Sequence, residues 1–352
     1  METTRRTFIQ SATALAAMPL VPAFAQSLPS FRYCSSAAVP RAFSGYVFLP
    51  EVLGFDKNLG FSADTTYTAG TGNAMQLLLS NQVDLANPGL LEFIAMKKKN
   101  PDLPVKLVYC QDYASSYITV VAEDSPYKKI SDLKGKSIGV LSLGSGAVAT
   151  VKSQLRREGV DPSAVEIVSV GADSAAYAAF KSKQVEALSL FIGTIAAMES
   201  NGANFRWFTT PVSTGRFAVT ESFLAKNRAL VVKALQGIAL STTVMQLNPK
   251  VAVEAYYKKY GAPNGDRDKA MNGDIHAVER TMSIFKRPDD KHQWGELTEE
   301  QWTNLIDFVG PDSGYTAANT KYSDFFYPDL IPDINKLDLA PAMKIVKNGL
   351  PA

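Results

Sequence analysis

Cysteine and histidine are scarce in this chain of 352 residues, and their scarcity limits the chemistry it can perform. The cysteines are Cys34 and Cys110, and the histidines, His276 and His292, both lie in the C-terminal third. No His, Cys and carboxylate spacing matches a zinc site, so no metal is expected. The two cysteines could form a disulfide or stay as buried thiols, and the sequence leaves both open.

An excess of charge of one sign is also missing. The 36 Lys and Arg residues balance 34 Asp and Glu residues to a net charge of +2. That balance gives no electrostatic argument for binding nucleic acid or an anionic membrane surface. There is no Gly-x-Ser-x-Gly elbow; residues 142–150 lack the lysine of a phosphate-binding loop, and Gly70-x-Gly72 lacks the third glycine of a dinucleotide turn. No cofactor is therefore expected.

The N-terminus has the pattern of an export signal. Arg5-Arg6 precedes a modest apolar stretch over residues 11–24 and a closing Ala23-Phe24-Ala25. The pattern predicts a twin-arginine signal peptide over residues 1–25 and a periplasmic mature protein. The stretch is shorter than the ~20 residues needed to cross a bilayer, and no later segment is expected to cross one.

From about residue 30, short apolar runs alternate with amphipathic helical stretches. This alternation predicts an α/β fold with mostly parallel sheets. Residues 74–84 and 176–186 repeat one layout, a helix, a polar corner and a Val-led strand, which predicts two similar lobes. Strands are expected at residues 31–35, 63–68, 82–86, 105–110, 138–141, 165–170 and 185–190.

Extended segments over residues 113–123 and 216–220 separate these lobes, and four helices are expected after them, over residues 221–247, 249–260, 266–284 and 299–308. If the helices return to the first lobe, the chain crosses between lobes twice and forms a hinge. The predicted domains are residues 28–115 with 219–352 for lobe 1 and residues 116–218 for lobe 2.

Glycine-rich turns follow the predicted strands at residues 70–72, 87–89, 142–146 and 193–194. In an open parallel sheet such turns share one edge, where helix N-termini can bind an anion, although each could equally serve only as a cap. Asn87 is expected to cap the helix that begins at Pro88. Arg41 and Arg216 could pair with an oxyanion or lie on the surface.

Several of these segments resemble a known family. Residues 46–54, Phe55-Asp-Lys-Asn-Leu-Gly-Phe61, Gly70-Thr-Gly72 and Leu79-Ser-Asn-Gln-Val-Asp84 resemble the first lobe of nitrate/sulfonate/taurine-type binding proteins of ABC importers. The thiamine-pyrimidine-synthesis-like proteins belong to the same superfamily. Residues 131–140 resemble the family's entry into lobe 2. The resemblance covers about residues 30–220 and is looser around residues 325–335.

The resemblance implies a type II periplasmic-binding-protein fold that clamps a small organic anion of the sulfonate, taurine or carboxylate type. It further implies an ABC permease as partner, a monomeric state and no enzymatic activity. With Arg216 added from the reasoning above, the expected ligand contacts are Ser36, Tyr46, Thr71, Gly72, Asn87, Tyr113, Tyr117, Ser145, Gly146, Phe191, Thr194 and Arg216.

Two alternatives stay open. The first is an enzyme on the same scaffold, with Cys34 as nucleophile. Sulfinate-cleaving relatives combine a cysteine with a histidine and an Arg-x-Gly-Gly segment, of which only the cysteine is present here. The iron-binding cysteines of the pyrimidine-synthesis enzymes are absent too. The second alternative is a sensor module that reports the bound ligand to a receptor.

Overall fold

Two five-stranded sheets organise the computed structural model, which describes residues 27–171, 173–210 and 212–351. The signal peptide predicted for residues 1–25 lies outside them. The strands are β1 (Ser30–Ser35), β2 (Ser62–Tyr67), β3 (Leu85–Asn87), β4 (Val105–Cys110), β5 (Tyr117–Ala122), β6 (Ser137–Val140), β7 (Glu166–Ser169), β8 (Ala187–Phe191), β9 (Phe205–Phe208) and β10 (Arg216–Thr220).

Helices cover both sheets. They are α1 (Leu49–Val52), α2 (Phe55–Leu59), α3 (Thr71–Leu79), α4 (Leu90–Lys99), α5 (Gly146–Arg157), α6 (Asp173–Lys181), α7 (Ile192–Ser200), α8 (Glu221–Leu247), α9 (Pro249–Tyr260), α10 (Arg267–Phe285), α11 (Glu299–Ser313), α12 (Tyr322–Phe325), α13 (Ile331–Ile334) and α14 (Ala340–Asn348). Short 3₁₀ turns lie at Ala42–Val47, Ile130–Leu133, Pro162–Ala164 and Pro328–Leu330.

The two sheets share one topology. Their strand orders are β2-β1-β3-β10-β4 and β7-β6-β8-β5-β9. The first three strands of each are parallel, and the fourth runs antiparallel to both neighbours. Each antiparallel strand begins directly after a crossover, a segment in which the chain passes from one sheet to the other. The crossovers are residues 111–116, before β5, and residues 209–215, before β10. The α/β class and the two similar lobes are confirmed, whereas the domain boundaries stay predictions.

The internal repeat is preserved in detail. Helix α6 begins 102 residues after α3 and has the same length, and β8 begins 102 residues after β3. Two residues after its last residue, each helix is followed by a left-handed residue, Asn81 with φ of 58° and Lys183 with φ of 60°. The next backbone N–H then returns to a helix carbonyl, Gln82 to Leu77 and Gln184 to Ala179. This corner delays the following strand, so β3 starts three residues later than predicted.

The longest helix is a core element. Helix α8 is apolar and long enough to cross a membrane by length and composition, but 72% of its most apolar stretch is buried inside the molecule. It packs against α1, α2, α13 and α14. Two parts of the chain were not expected from the sequence, the edge strand β9 and the short helices α12 to α14.

The C-terminal part contacts both halves of the molecule. Helix α12 packs against β4, where the Tyr327 N–H donates to the Leu107 carbonyl at 2.8 Å. Helix α10 packs against α7 and α11 against α5, both beside the second sheet. The crossovers are therefore not the only connection between the two halves.

The cysteines are too far apart to bond. Cys34 lies in β1 and Cys110 at the end of β4, with β3 and β10 between these strands. Three strand spacings separate them by about 14 Å, well beyond the reach of a disulfide. Both are free and buried.

Candidate ligand-binding site

A cavity of about 610 Å³ lies between the two sheets. The first half contributes the ends of β1 and β3 and the starts of α3 and α4, and the second half contributes the starts of β5 and α5 and the end of β8. Residues of both crossovers complete the lining. Three of the four turns predicted to face a ligand, at residues 70–72, 87–89 and 142–146, thus face one shared space.

Most of the predicted contacts line this cavity. Nine of the twelve do so: Ser36, Tyr46, Thr71, Asn87, Tyr117, Ser145, Gly146, Phe191 and Arg216. Among the lining residues that the sequence did not indicate as contacts are Glu92, Gln111, Asp112, Thr150, Thr214 and Gly215.

Gly72, Tyr113 and Thr194 do not line the cavity. Gly72 is exposed on α3 one residue past Thr71, so the helical turn directs it elsewhere. Tyr113 turns away from the cavity to pack edge-on against His292, with ring centroids 4.9 Å apart. Thr194 is the third residue of α7 and points away from the cavity that Phe191 faces. At these three positions the backbone direction, which the sequence does not show, decides the outcome.

Hydrogen bonds between Ser36 and Asn87 connect the ends of β1 and β3. The Ser36 backbone N–H donates to Asn87 Oδ1 at 2.8 Å, and its hydroxyl donates to the Asn87 carbonyl at 2.7 Å. The predicted cap at Asn87 is therefore wrong: Asn87 ends β3, and the cap position of α4 is Gly89. Tyr46 lies close to Gln111 and Asn87, and burial raises the pKa of Tyr46 to about 12.

Tyr117 occupies the N-terminus of α5. The phenol lies against the start of α5, beside the Ser145 side chain and the Gly146 backbone. Ser145 caps the helix by accepting from the Ala147 N–H at 3.2 Å. Burial raises the pKa of Tyr117 to about 12, so the phenol stays protonated at neutral pH. The protonated hydroxyl is therefore available to donate a hydrogen bond to a further acceptor.

Thr71 and Glu92 meet around Gly89. The Gly89 N–H donates to Thr71 Oγ1 at 2.8 Å. A Cβ at Gly89 would lie 2.2 Å from Glu92 Oε2, so the carboxylate folds back over a position that only glycine leaves open. Burial raises the pKa of Glu92. Thr71 retains its hydroxyl proton for a further acceptor.

Arg216 and Asp112 form a buried pair at the crossovers. Both side chains are inaccessible, and Arg216 Nη1 lies 3.9 Å from Asp112 Oδ1. Asp112 Oδ1 also accepts from the Thr214 and Gly215 N–H groups at 2.7 and 2.9 Å, and its Oδ2 accepts from the Ser116 hydroxyl at 2.9 Å. The surface alternative for Arg216 is wrong. One carboxylate ties the two crossovers together.

Aromatic side chains close the cavity from both halves. The rings of Phe43 and Phe191 have centroids 5.5 Å apart, and a Cβ at Gly193 would lie 2.7 Å from the Phe43 ring. Arg41 and Asp173 form a half-exposed ion pair at 3.5 Å across the same opening. The halves therefore touch at the mouth of the cavity.

Cys34 is placed poorly for nucleophilic catalysis. It is buried and does not line the cavity, and burial raises the pKa of its thiol. Its nearest polar side chain is Thr68, with the sulfur 3.9 Å from Oγ1. Neither histidine lines the cavity. Over the described residues, no group of three or more His, Cys, Asp or Glu side chains is placed to hold a metal ion.

A separate cavity of about 700 Å³ lies between α7 and α10. Its main charged side chains are already paired, because Glu199 accepts from His276 at 2.8 Å and from Arg280 at 3.0 Å. The cavity between the sheets, which retains donors without acceptors, is the better candidate for a ligand.

Two equivalent sheets, two crossovers and a cavity between them define the periplasmic-binding-protein fold. Among solved structures, the periplasmic aliphatic sulphonate binding protein SsuA from Escherichia coli matches with a TM-score of 0.65 at 15% identity, over 87% of this chain and 99% of that one. A Bordetella bronchiseptica RB50 protein matches at 0.63 and 20% identity, over 88% and 99%. The desulfurization enzyme DszB matches at 0.54 and 13% identity, over 87% and 98%.

The model of the NMT1/THI5-like family matches residues 47–252 of the chain. This match covers more than half of the protein, which therefore belongs to the NMT1/THI5-like family. No curated protein sequence matches significantly. The resemblance seen in the sequence is confirmed at the level of family and fold.

Proposed function

We propose that the protein is the periplasmic solute-binding component of an ABC importer, which captures a small organic anion of the sulfonate, taurine or carboxylate type between its lobes. The observation that carries this proposal is the cavity lined from both halves, with hydroxyl donors inside and aromatic rings at the mouth. Aromatic walls with a few directed polar groups suit a small organic ligand.

The anion has three donors in this proposal. Thr71 belongs to the first half and keeps its hydroxyl proton after accepting from the Gly89 N–H, and Tyr117 belongs to the second half and stays protonated at neutral pH. Arg41 adds a cation at the mouth, where its exposed pair with Asp173 contributes little and can be exchanged. A ligand that contacts both halves favours the closed state through these additional contacts.

The remaining parts of the proposal follow from export and closure. Arg5-Arg6 and the apolar stretch support delivery to the periplasm, where the closed monomer would dock on an inner-membrane permease. Lobe 1 comprises residues 28–115 and 219–352 in this proposal, and lobe 2 residues 116–218. The enzyme alternative is disfavoured by the buried Cys34 thiol, because the thiolate is the nucleophile.

Thermal denaturation with a panel of small organic sulfonates and carboxylates tests the proposal, because a ligand that binds only the folded state raises its melting temperature. The double variant Thr71→Val/Tyr117→Phe removes two donors and should weaken binding about 10- to 100-fold in calorimetry. Tyr127→Phe, remote from the cavity lining, is the control. Binding by none of the anions, or full affinity in the double variant, would refute the proposal.

A further inference from the structure

One charged side chain of the cavity lining has no ion-pair partner. Four lining side chains are charged: Arg41, Glu92, Asp112 and Arg216. Arg216 pairs with Asp112 and Arg41 with Asp173. Glu92 has no ion-pair or side-chain hydrogen-bond partner within the described part of the chain, and its own backbone is the one group found to lower the pKa of its carboxyl. The cavity therefore holds one uncompensated carboxylate.

This carboxylate is unfavourable for the empty protein. Burial raises the pKa of Glu92, which means that the ionised form is destabilised relative to water. Buried charges are normally paired, because an unpaired one loses its hydration without compensation. A glutamine or an apolar residue would remove this cost. An unpaired charge at the wall of a cavity is explained if a ligand supplies the missing cation.

We infer that Glu92 binds a protonated amine of the ligand, and that the protein selects zwitterions, whose oxyanion meets the donors at Arg41, Thr71 and Tyr117. The inference rests on the proposed function and narrows its ligand class. A simple anion would place its negative charge in a space that already contains an unpaired carboxylate. A zwitterion satisfies both the carboxylate and the donors.

The geometry supports a short separation between the two ligand charges. Glu92 lies over Gly89 next to Thr71 in the first half, and its charge acts on Tyr117 in the second half. An amine held at Glu92 would therefore leave the oxyanion within reach of the Tyr117 hydroxyl. The amine would bind the first half, and the oxyanion would bind both halves through Thr71 and Tyr117, so a ligand held in this way would favour closure.

Matched ligand pairs test this inference by replacing an ammonium group with a methyl group. The pairs are taurine with propanesulfonate, β-alanine with butanoate, and 4-(aminomethyl)benzenesulfonate with 4-ethylbenzenesulfonate. Calorimetry on the full mature chain should show the amine of at least one pair binding about 10- to 100-fold more tightly than its methyl partner. Glu92→Gln should abolish that preference, and the exposed Glu300→Gln should retain it.

A second measurement separates ligand binding from a structural role. At neutral pH, Glu92→Gln should raise the melting temperature of the ligand-free protein, because it removes an ionised carboxylate whose folded-state pKa is raised. A purely structural glutamate would show the opposite change. Lower stability in this variant would overturn the inference.

The outcomes distinguish the inference from the proposed function. Equal or tighter binding of the methyl partners, or an unchanged preference in Glu92→Gln, would overturn the role of Glu92 while anion capture still stands. Failure of all six compounds to bind would overturn the anion-binding proposal together with the inference.

Discussion

At the residue scale, two glycines of the cavity wall are required because neighbouring side chains occupy the space that a Cβ would need. A Cβ at Gly146 would lie 2.8 Å from Cε2 of Tyr117, and one at Gly215 would lie 2.6 Å from Asp112 Oδ2. Both distances are shorter than a normal contact, so any side chain there displaces a group of the cavity wall. The lack of a side chain at these two positions therefore helps to determine the shape of the cavity.

The first prediction concerns Gly146→Ala. The added methyl should displace the Tyr117 ring from the start of α5, costing about 1–3 kcal/mol of unfolding free energy and weakening anion binding. Urea denaturation and calorimetry measure the two effects. Gly72→Ala, at the start of α3 and outside the cavity lining, where a Cβ meets nothing within 4 Å, should cause neither loss. Equal behaviour of the two variants would contradict the proposed packing.

Individual site residues were predictable only where local pattern and geometry agree. Ser145 caps a helix after a strand, and the sequence shows that arrangement directly. Asp112 could not be recognised, because Ser213, Thr214 and Gly215 are about a hundred residues away in the chain. Glu92 resembles any acidic residue in the first turn of a helix, and only the folded chain reveals that it lacks a partner.

At the element scale, the repeated helix and strand were predictable, because α3 with β3 and α6 with β8 each combine an amphipathic helix, a polar corner and an apolar strand. The edge strand β9 was not, since Phe205-Arg-Trp-Phe is short and becomes a strand by pairing with β5. The cap at Asn87 failed for a similar reason. Its side chain is taken by Ser36 of the neighbouring strand segment.

The second prediction concerns the contact between α7 and α10. Glu199 accepts from His276, from Arg280 and, at 2.7 Å, from Trp207 Nε1, and the Arg280 guanidinium lies 4.4 Å from the Trp207 ring centroid. Glu199→Ala removes the shared acceptor and should cost about 1–3 kcal/mol of unfolding free energy. Urea denaturation measures the loss. The exposed Glu300→Ala is the control, and a similar small loss in both would contradict the role given to Glu199.

At the scale of the whole molecule, closure depends on how closely the two halves can approach each other. Phe43 of the first half lies against Gly193 and Phe191 of the second, so the contact at the mouth needs a residue without a side chain. The two-lobed fold was predictable from the repeat and the paired crossovers. The contact of α10 and α11 with the second half was not, because their sequences show amphipathic faces but not which surface covers them.

The third prediction concerns Gly193→Val. The added side chain should act as a wedge against Phe43, hold the halves apart and lower the affinity for the anions that bind the native protein. Small-angle scattering should show a larger radius of gyration with ligand than the native protein gives, and calorimetry the weaker binding. Gly72→Val is a matched control, the second residue of another helix with nothing near its Cβ. A native radius in the Gly193 variant would contradict the wedge.

The shared acceptor at Asp112 has a mechanical consequence. Both crossovers are hydrogen-bonded to the same carboxylate, so neither can extend or shift without the other. Rotation of one half against the other about a single axis is then the motion of lowest cost. The part of the cavity wall formed by Asp112 and Arg216 should therefore keep its shape with and without ligand. Binding and release of the ligand would then change only the mouth of the cavity.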